Sequence, residues 1–213
     1  MKLYGYWRSS AAYRIRIALN LKGIEAEHQS VHLVKNGGEQ HGRDYIALNP
    51  QHLVPTLVLD DGTALTQSLA ILEYLEERGE GMALLPTDAL GKAQVRAMCL
   101  AIACEIHPLN NLRVLQYLSG DMALDDKVKN DWYHHWIHEG FKALERMLVK
   151  HSGRFCFGDT VTLADACLVP QVYNARRFNV PLDNYPNIVR ISDYCNSLPA
   201  FVAALPENQP DAV

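Results

Sequence analysis

The spacing of apolar and polar positions changes period along the chain, and the change divides it. Residues 2–6 are apolar enough for a short strand. From Tyr13 to Lys22, Ile15, Ala18, Leu19 and Leu21 fall on one helical face before Gly23 supplies a stop. In "AEHQSVHLV", Val31 and Leu33 alternate with polar residues, which predicts a second strand, and "KNGGEQHGRDY" follows as a glycine-bearing loop. Thr56–Leu59 and Ala64–Thr66, separated by Asp60-Asp61-Gly62, predict a hairpin. Ser68 can cap the next helix, which turns Leu69, Leu72, Tyr74 and Leu75 inward. The order is βαβ, then ββα.

Beyond "RGEGMALLPTDAL" the strand signals stop. One helical pattern runs from about Ala89 to Leu118 and another from Asp126 to Lys150, with shorter ones over 163–176, 187–197 and 199–204. This predicts an α/β domain over 1–80, a linker over 81–88 and an all-helical domain over 89–213. One helix start is sharply marked: in "GDTVTLADACLVPQV", Thr162 stands three residues before Asp165, an Asp variant of the capping box, with Val161 as an outer apolar contact. These residues are assigned to folding.

Composition narrows the function classes. With 48% hydrophobic and 21% charged residues the chain resembles an ordinary globular protein. A net charge of −4 argues against a general nucleic-acid binder, which needs a basic stripe. No apolar run approaches the roughly 18 residues of a membrane span. Lys2 is not followed by a leader's apolar stretch, since Tyr6, Trp7 and Arg8 interrupt it, so a cytoplasmic protein is expected. The five cysteines include no C-x-x-C pair and read as reduced thiols packed as small hydrophobes. His134 and His138 lie four apart in "WYHHWIHEG", but no third ligand is evident and the stripe continues into Lys142 and Glu145. A solvated helix surface and no metal is the expectation.

Three polar groups ask for more than a structural account. Arg8-Ser9-Ser10 stand where the first strand gives way to a helix, whose unpaired amides and partial positive charge stabilise an anion. A thiolate there could have its pKa lowered by ~2 units. A serine that only caps the helix explains part of the pattern, and on these residues alone both readings stand. Next come "LVPT" and "TQS": a Val54-Pro55 peptide in the cis form would leave the Val54 backbone open to a peptide-like ligand, and Gln67-Ser68 begin a second helix. A turn proline and an N-cap explain the same residues without a ligand. In the helical region, "EIHPLNNLR" puts Pro108 inside the expected helix, where it should kink it, with His107 and Asn111 at i,i+4 and Arg113 one turn from Asn110. Arg176 and Arg177 close another helix, and arginines suit bidentate carboxylate recognition, though each alone is commonly a surface residue.

Taken together, "WRSSAAYRIRIALNLKG", "ALNPQHLVPTL", "LTQSLAILEYLEE", "IHPLNNLRVL", "FGDTVTLADACLVPQVYNARRFNV", "YPNI" and the late "QPD" resemble the zeta-class glutathione transferases, and within them the maleylacetoacetate isomerases, over essentially the whole chain. The resemblance implies a thioredoxin-like N-terminal domain, an all-helical C-terminal domain and a homodimer. It implies glutathione as cofactor, a small dicarboxylate as substrate, and conversion of maleylacetoacetate to its fumaryl isomer in tyrosine and phenylalanine breakdown. It places Ser9 and Ser10 at the glutathione sulfur. Gln40, Val54, Pro55, Gln67, Ser68, His107 and Asn111 match glutathione-binding positions. Arg8, Arg113 and Arg177 match positions for the substrate's carboxylates, with Arg177 favoured over Arg176. Many zeta enzymes carry Ser-Ser-Cys at the first turn; here the third position is Ala11, so the sulfur must come from glutathione. Arg113 resembles a position that is arginine in maleylpyruvate isomerases, which makes that substrate the alternative. A broader transferase on electrophiles comes next, then a non-catalytic binding protein.

Overall fold

A computed structural model of the chain describes residues 1–212. They form two compact units: Met1–Leu84 together with the segment from Ser197 onward, and Leu85–Asn196.

The first unit is a four-stranded mixed sheet with helices. Strands β1 (Lys2–Gly5) and β2 (Glu27–Ser30) are parallel, while β3 (Thr56–Val58) and β4 (Ala64–Thr66) run antiparallel, in the order β2-β1-β3-β4. Helix α1 (Ser10–Lys22) crosses from β1 to β2, and α3 (Ser68–Glu77) follows β4. This is the thioredoxin-like βαβ–ββα order expected from the sequence. Leu3, Ile15, Ile17, Leu57, Ile71 and Leu75 form its core, none more than 2% exposed. Gly23 ends α1 at φ +65°, a left-handed conformation in which a side chain would be strained. At the same end, the buried Lys22 ammonium meets Glu76 at 2.9 Å and donates to the Glu80 and Met82 carbonyls. It thereby fastens the chain leaving α3.

Several boundaries differ from expectation. Helix α1 begins three residues earlier than the apolar period indicates, because Ser9 caps it and Ser10, Ala11 and Ala12 form its first turn. Strand β2 stops at Ser30, before Val31 and Leu33. The glycine-bearing segment holds two short 3-10 turns and a helix, α2 (Arg43–Leu48), where only a loop is expected. Ser68 is not a cap: it is the first residue of α3, and Gln67, at φ +67°, precedes it.

The second unit is helical. Helices α4 (Ala89–Leu100) and α5 (Leu112–Ser119) are not continuous: a π-helical turn over Ala101–Ile106 and a 3-10 turn over His107–Asn110 separate them. The expected kink at Pro108 is instead a full break, in which Pro108, lacking an amide hydrogen, stands in the first turn of the 3-10 segment. The long α6 (Asp126–His151) lies against this break, and Gly140 permits it, since a Cβ there would sit 2.2 Å from Ile106 Cγ1. Helices α7 (Leu163–Arg177) and α8 (Pro186–Cys195) complete the unit around Met98, Ile137, Phe141, Leu168 and Ile188, all 0% exposed. The capping box opens α7: Asp165 accepts from the Thr162 amide and hydroxyl, and its other oxygen from the Cys156 amide. Four of the five cysteines are buried, Cys104 is exposed, and none is in a disulfide.

The last helix, α9 (Pro199–Ala204), packs on α1. Asn20 donates to the Ala200 carbonyl and Arg16 to that of Ala204. The sequence pattern groups this segment with the helices before it, whereas its contacts are with the first unit.

Candidate active site

In the first unit, strand register brings three turns to one end of the sheet. Tyr4 pairs with Thr56, and Thr56 with Thr66. The turn after β1, the segment entering β3 and the residue leaving β4 therefore share that end. They carry Arg8-Ser9-Ser10, Val54-Pro55 and Gln67-Ser68.

Ser9 is the N-cap of α1: its Oγ accepts from the Ala12 amide at 3.2 Å, and its own amide donates to the Tyr6 carbonyl at 2.9 Å. Accepting that bond leaves the hydroxyl proton for a ligand. Ser9 is half-exposed, whereas Ser10, 3% exposed, is inside the first turn. Ala11 and Ala12 are buried behind it, so no protein thiol stands at this turn. Arg8 lies over the Trp7 ring, its guanidinium carbon 4.5 Å from the centroid, and donates to Tyr6 Oη at 3.0 Å. This guanidinium is held by aromatic faces rather than by a carboxylate.

Gln40 reaches the same end through its loop. His32 stacks edge-on against Tyr6 at 4.8 Å, and Glu39 donates its amide to the His32 carbonyl. The Gln40 side chain is buried: Nε2 donates to the Leu33 carbonyl, and Oε1 has no partner among the described residues. Gly38, at φ +101°, admits it, because a Cβ there would lie 2.5 Å from Gln40 Nε2.

The Val54–Pro55 peptide is cis. The Leu53 carbonyl before it accepts from Tyr45 Oη at 2.6 Å and from Asn49 Nδ2 at 2.7 Å, and both groups also meet Thr56 Oγ1. Burial pushes the Tyr45 phenol up, against the pull of its bonds to Thr56 and Asn49. Gln67 is exposed and donates to Gln51 Oε1. Ser68 is buried and accepts from Nη1 of the buried Arg14 at 3.0 Å, which ties α1 to the start of α3.

In the second unit, His107 and Asn111 come together across the helix break, not along one helical face. Asn111 Nδ2 and His107 Nε2 are 3.5 Å apart, and Asn111, in extended conformation, caps α5 by accepting from the Arg113 amide. Arg113 is exposed. Of the two arginines ending α7, Arg176 pairs with Asp193 at 2.7 Å, while Arg177 lies over the Phe178 ring at 4.8 Å. Phe178 in turn stacks on Tyr133 at 3.9 Å. Burial raises the Tyr133 phenol far above its ordinary value, and the Arg177 charge opposes this only partly.

The histidine stripe departs from expectation. His134 Nε2 donates to the Phe178 carbonyl at 2.9 Å, and His138 Nδ1 meets Tyr185 Oη at 2.8 Å. Glu145 accepts from the Asn187 and Ile188 amides at the start of α8. The stripe is half-buried: His134, His138 and Glu145 pack against neighbouring backbone and Tyr185, while Lys142 stays exposed, as the solvated reading has it.

Sequence reasoning missed Trp7, Phe178, Tyr45, Asn49 and Arg14. The pairs "WR" and "RF" were the available signal for the first two, an arginine adjacent to an aromatic ring. Nothing local marked the other three, whose bonds cross between elements.

Family models for the N-terminal and C-terminal domains of glutathione S-transferases match residues 8–78 and 136–193. A probable maleylacetoacetate isomerase of Vibrio cholerae is 51% identical over 99% of this chain and 97% of its own length. Among solved structures, a holo maleylpyruvate isomerase, described as a bacterial zeta-class glutathione S-transferase, aligns over all of both chains with a TM-score of 0.95 and 48% identity. The maleylacetoacetate isomerase of Methylobacterium extorquens AM1, with bound malonate and glutathione, aligns equally fully at 0.95 and 41%. The chain therefore belongs to the zeta class of the glutathione transferase family.

Proposed function

We propose that this protein is a glutathione-dependent cis–trans isomerase that converts maleylacetoacetate to fumarylacetoacetate. The observation that carries the reading is the α1 turn: an anion cradle built from Ser9 and helix amides, beside the cation Arg8, with alanine where a protein nucleophile would stand.

The residues present fit glutathione. The buried, unpartnered Gln40 Oε1 is an acceptor suited to a peptide's amine, and Ser68 and Gln67 offer polar groups at a second helix start. Val54, beside the cis Pro55, would lend its backbone, and His107 and Asn111 are assigned to glutathione by the family resemblance alone. Glutathione, when bound, would supply the nucleophilic thiolate needed for isomerisation of the conjugated double bond.

The chain's own residues do the rest. The Ser9 hydroxyl would donate to the sulfur, and the positive N-terminal end of the α1 dipole would favour its negative charge. Arg8 binds a substrate carboxylate. Arg177 is assigned the same role, and its aromatic support, with no ion-pair partner among the described residues, sets it apart from Arg176. Side activity on other electrophiles follows from the same sulfur site.

The testing experiment is turnover of maleylacetoacetate with and without glutathione, alongside maleylpyruvate. Glutathione-dependent conversion, faster on maleylacetoacetate, is expected. Activity without glutathione, or equal turnover of maleylpyruvate, overturns the assignment. Maleylpyruvate is the second reading, favoured by Arg113, which adds an exposed cation to the helical unit.

We further propose that the protein acts as a homodimer in the cytoplasm, in aromatic amino-acid breakdown. The homodimer is what the family resemblance implies. Sedimentation showing a monomer at working concentration would remove it.

A further inference from the structure

The residue before Arg8 is held on both sides, at its amide by a residue remote in sequence and at its carbonyl by one from α1. The Trp7 amide donates to Asp211 Oδ2 at 3.1 Å, and the Trp7 carbonyl accepts from Arg16 Nη2 at 2.9 Å. Arg16, only 4% exposed, also donates through Nε to the Ala204 carbonyl. The same Asp211 oxygen accepts from Ser30 Oγ at 3.0 Å, at the end of β2. Gln209 anchors the segment by donating to the Ala203 and Leu205 carbonyls. An ionised acceptor makes stronger hydrogen bonds than a neutral one, so the carboxylate is well suited to clamp a peptide amide.

What depends on this clamp differs between Arg8 and Ser9. Ser9 is secured within its own turn: its amide is held by Tyr6, its Oγ by the Ala12 amide, and its carbonyl by the Tyr13 amide. Arg8 has no such backbone frame for its side chain. Its guanidinium rests on the Trp7 ring and on Tyr6 Oη, so its direction follows the placement of Trp7.

We propose that Asp211 is a positioning residue, which by clamping the Trp7 amide fixes the aromatic ledge that aims Arg8 at the substrate's carboxylate. It acts through Trp7. The proposal rests on the reading of Arg8 as a carboxylate-binding residue, and the test separates the two.

Steady-state kinetics of the full chain with maleylacetoacetate at saturating glutathione, and glutathione affinity by calorimetry, are measured for Arg8→Ala, Asp211→Ala and Asp211→Asn. Asp211→Ala is expected to raise the KM for the acidic substrate about tenfold, with kcat and glutathione affinity changed less than about twofold. Asp211→Asn keeps an oxygen for the Trp7 amide and is expected to recover most of the loss. A merely structural role would reduce the folded fraction and lower the apparent kcat at unchanged KM. An unchanged KM in Asp211→Ala, or equal damage in Asp211→Ala and Asp211→Asn, overturns the proposal. If Arg8→Ala itself leaves the substrate KM unchanged, the role given to Arg8 fails and the proposal falls with it. If Arg8→Ala raises KM while Asp211→Ala does not, only the proposal fails. Should Asp211→Ala not fold, Asp211→Glu decides. It keeps the charge but moves the carboxylate by one methylene, and a KM rise of about threefold is expected. No change in that variant overturns the proposal equally.

Discussion

Ser9 serves two masters with one oxygen: it accepts from the Ala12 amide and still has a proton to give. Its removal should therefore register twice. Ser9→Ala is expected to cost about 1 kcal/mol of stability as a lost helix cap. It should also raise the pKa of the bound glutathione thiol by about 1–2 units, read from the thiolate absorbance against pH. A thiol pKa unchanged in the variant would reduce Ser9 to its cap. The arginines ending α7 give a sharper contrast. Arg177→Ala is expected to raise the substrate KM tenfold or more by removing a charge-assisted contact, whereas Arg176→Ala, which breaks only an exposed ion pair with Asp193, should change it less than about twofold. Most of these residues were legible in the sequence, because each sits in an unusual local string such as "WRSS" or "ARRF". Their supports were not. Asn49 and Tyr45 meet the Leu53 carbonyl, and Arg14 meets Ser68, through bonds that only the folded chain brings together.

Among the elements, α7 rests on a single carboxylate. Asp165 is fully buried, with burial pushing its carboxyl up and the bonds from Cys156 and Thr162 pulling it back. Asp165→Ala leaves those donors without an acceptor and is expected to cost about 3 kcal/mol, measured by urea unfolding. His138 on α6 gives a pH signature. Burial first, then the charges of His134 and Lys142, hold its imidazolium below the ordinary value of 6.5. The unfolded chain binds the proton more readily, so this contribution is present above pH 6.5 and lost as pH falls below it. His138→Gln should show a shallower fall in Tm between about pH 7 and 5 than the parent chain. Element type was readable from apolar period and capping strings, as at Thr162 and the β3–β4 hairpin. It failed where chain geometry overrides period. The π-helical and 3-10 turns around Pro108 divide an expected helix into four pieces of backbone, and α2 hides among glycines that give no apolar stripe.

On the scale of the whole molecule, the first unit is assembled from both ends of the sequence. Phe201, on α9, is 0% exposed. Phe201→Ala is expected to destabilise the protein by about 3–5 kcal/mol. Hydrogen exchange should then quicken in α1, on which α9 packs, before it does in α7. The two-unit organisation was legible from the loss of strand signals after residue 80. The return of the chain to its starting unit was not, because helical period alone does not say which surface a helix covers.

That return bears on how the protein is made. The bond between Trp7 and Asp211 spans 204 positions, and those from Arg16 and Asn20 to α9 span 188 and 180. During synthesis, the whole of Leu85–Asn196 emerges before the α9 partners of α1 do. The first unit can form its sheet early, but it leaves Arg16 and the underside of α1 uncovered until α9 has cleared the ribosome. Maturation of the Arg8 turn thus waits on residues about 200 positions downstream, and a nascent chain stalled before them would carry its sheet without a finished ledge for the arginine.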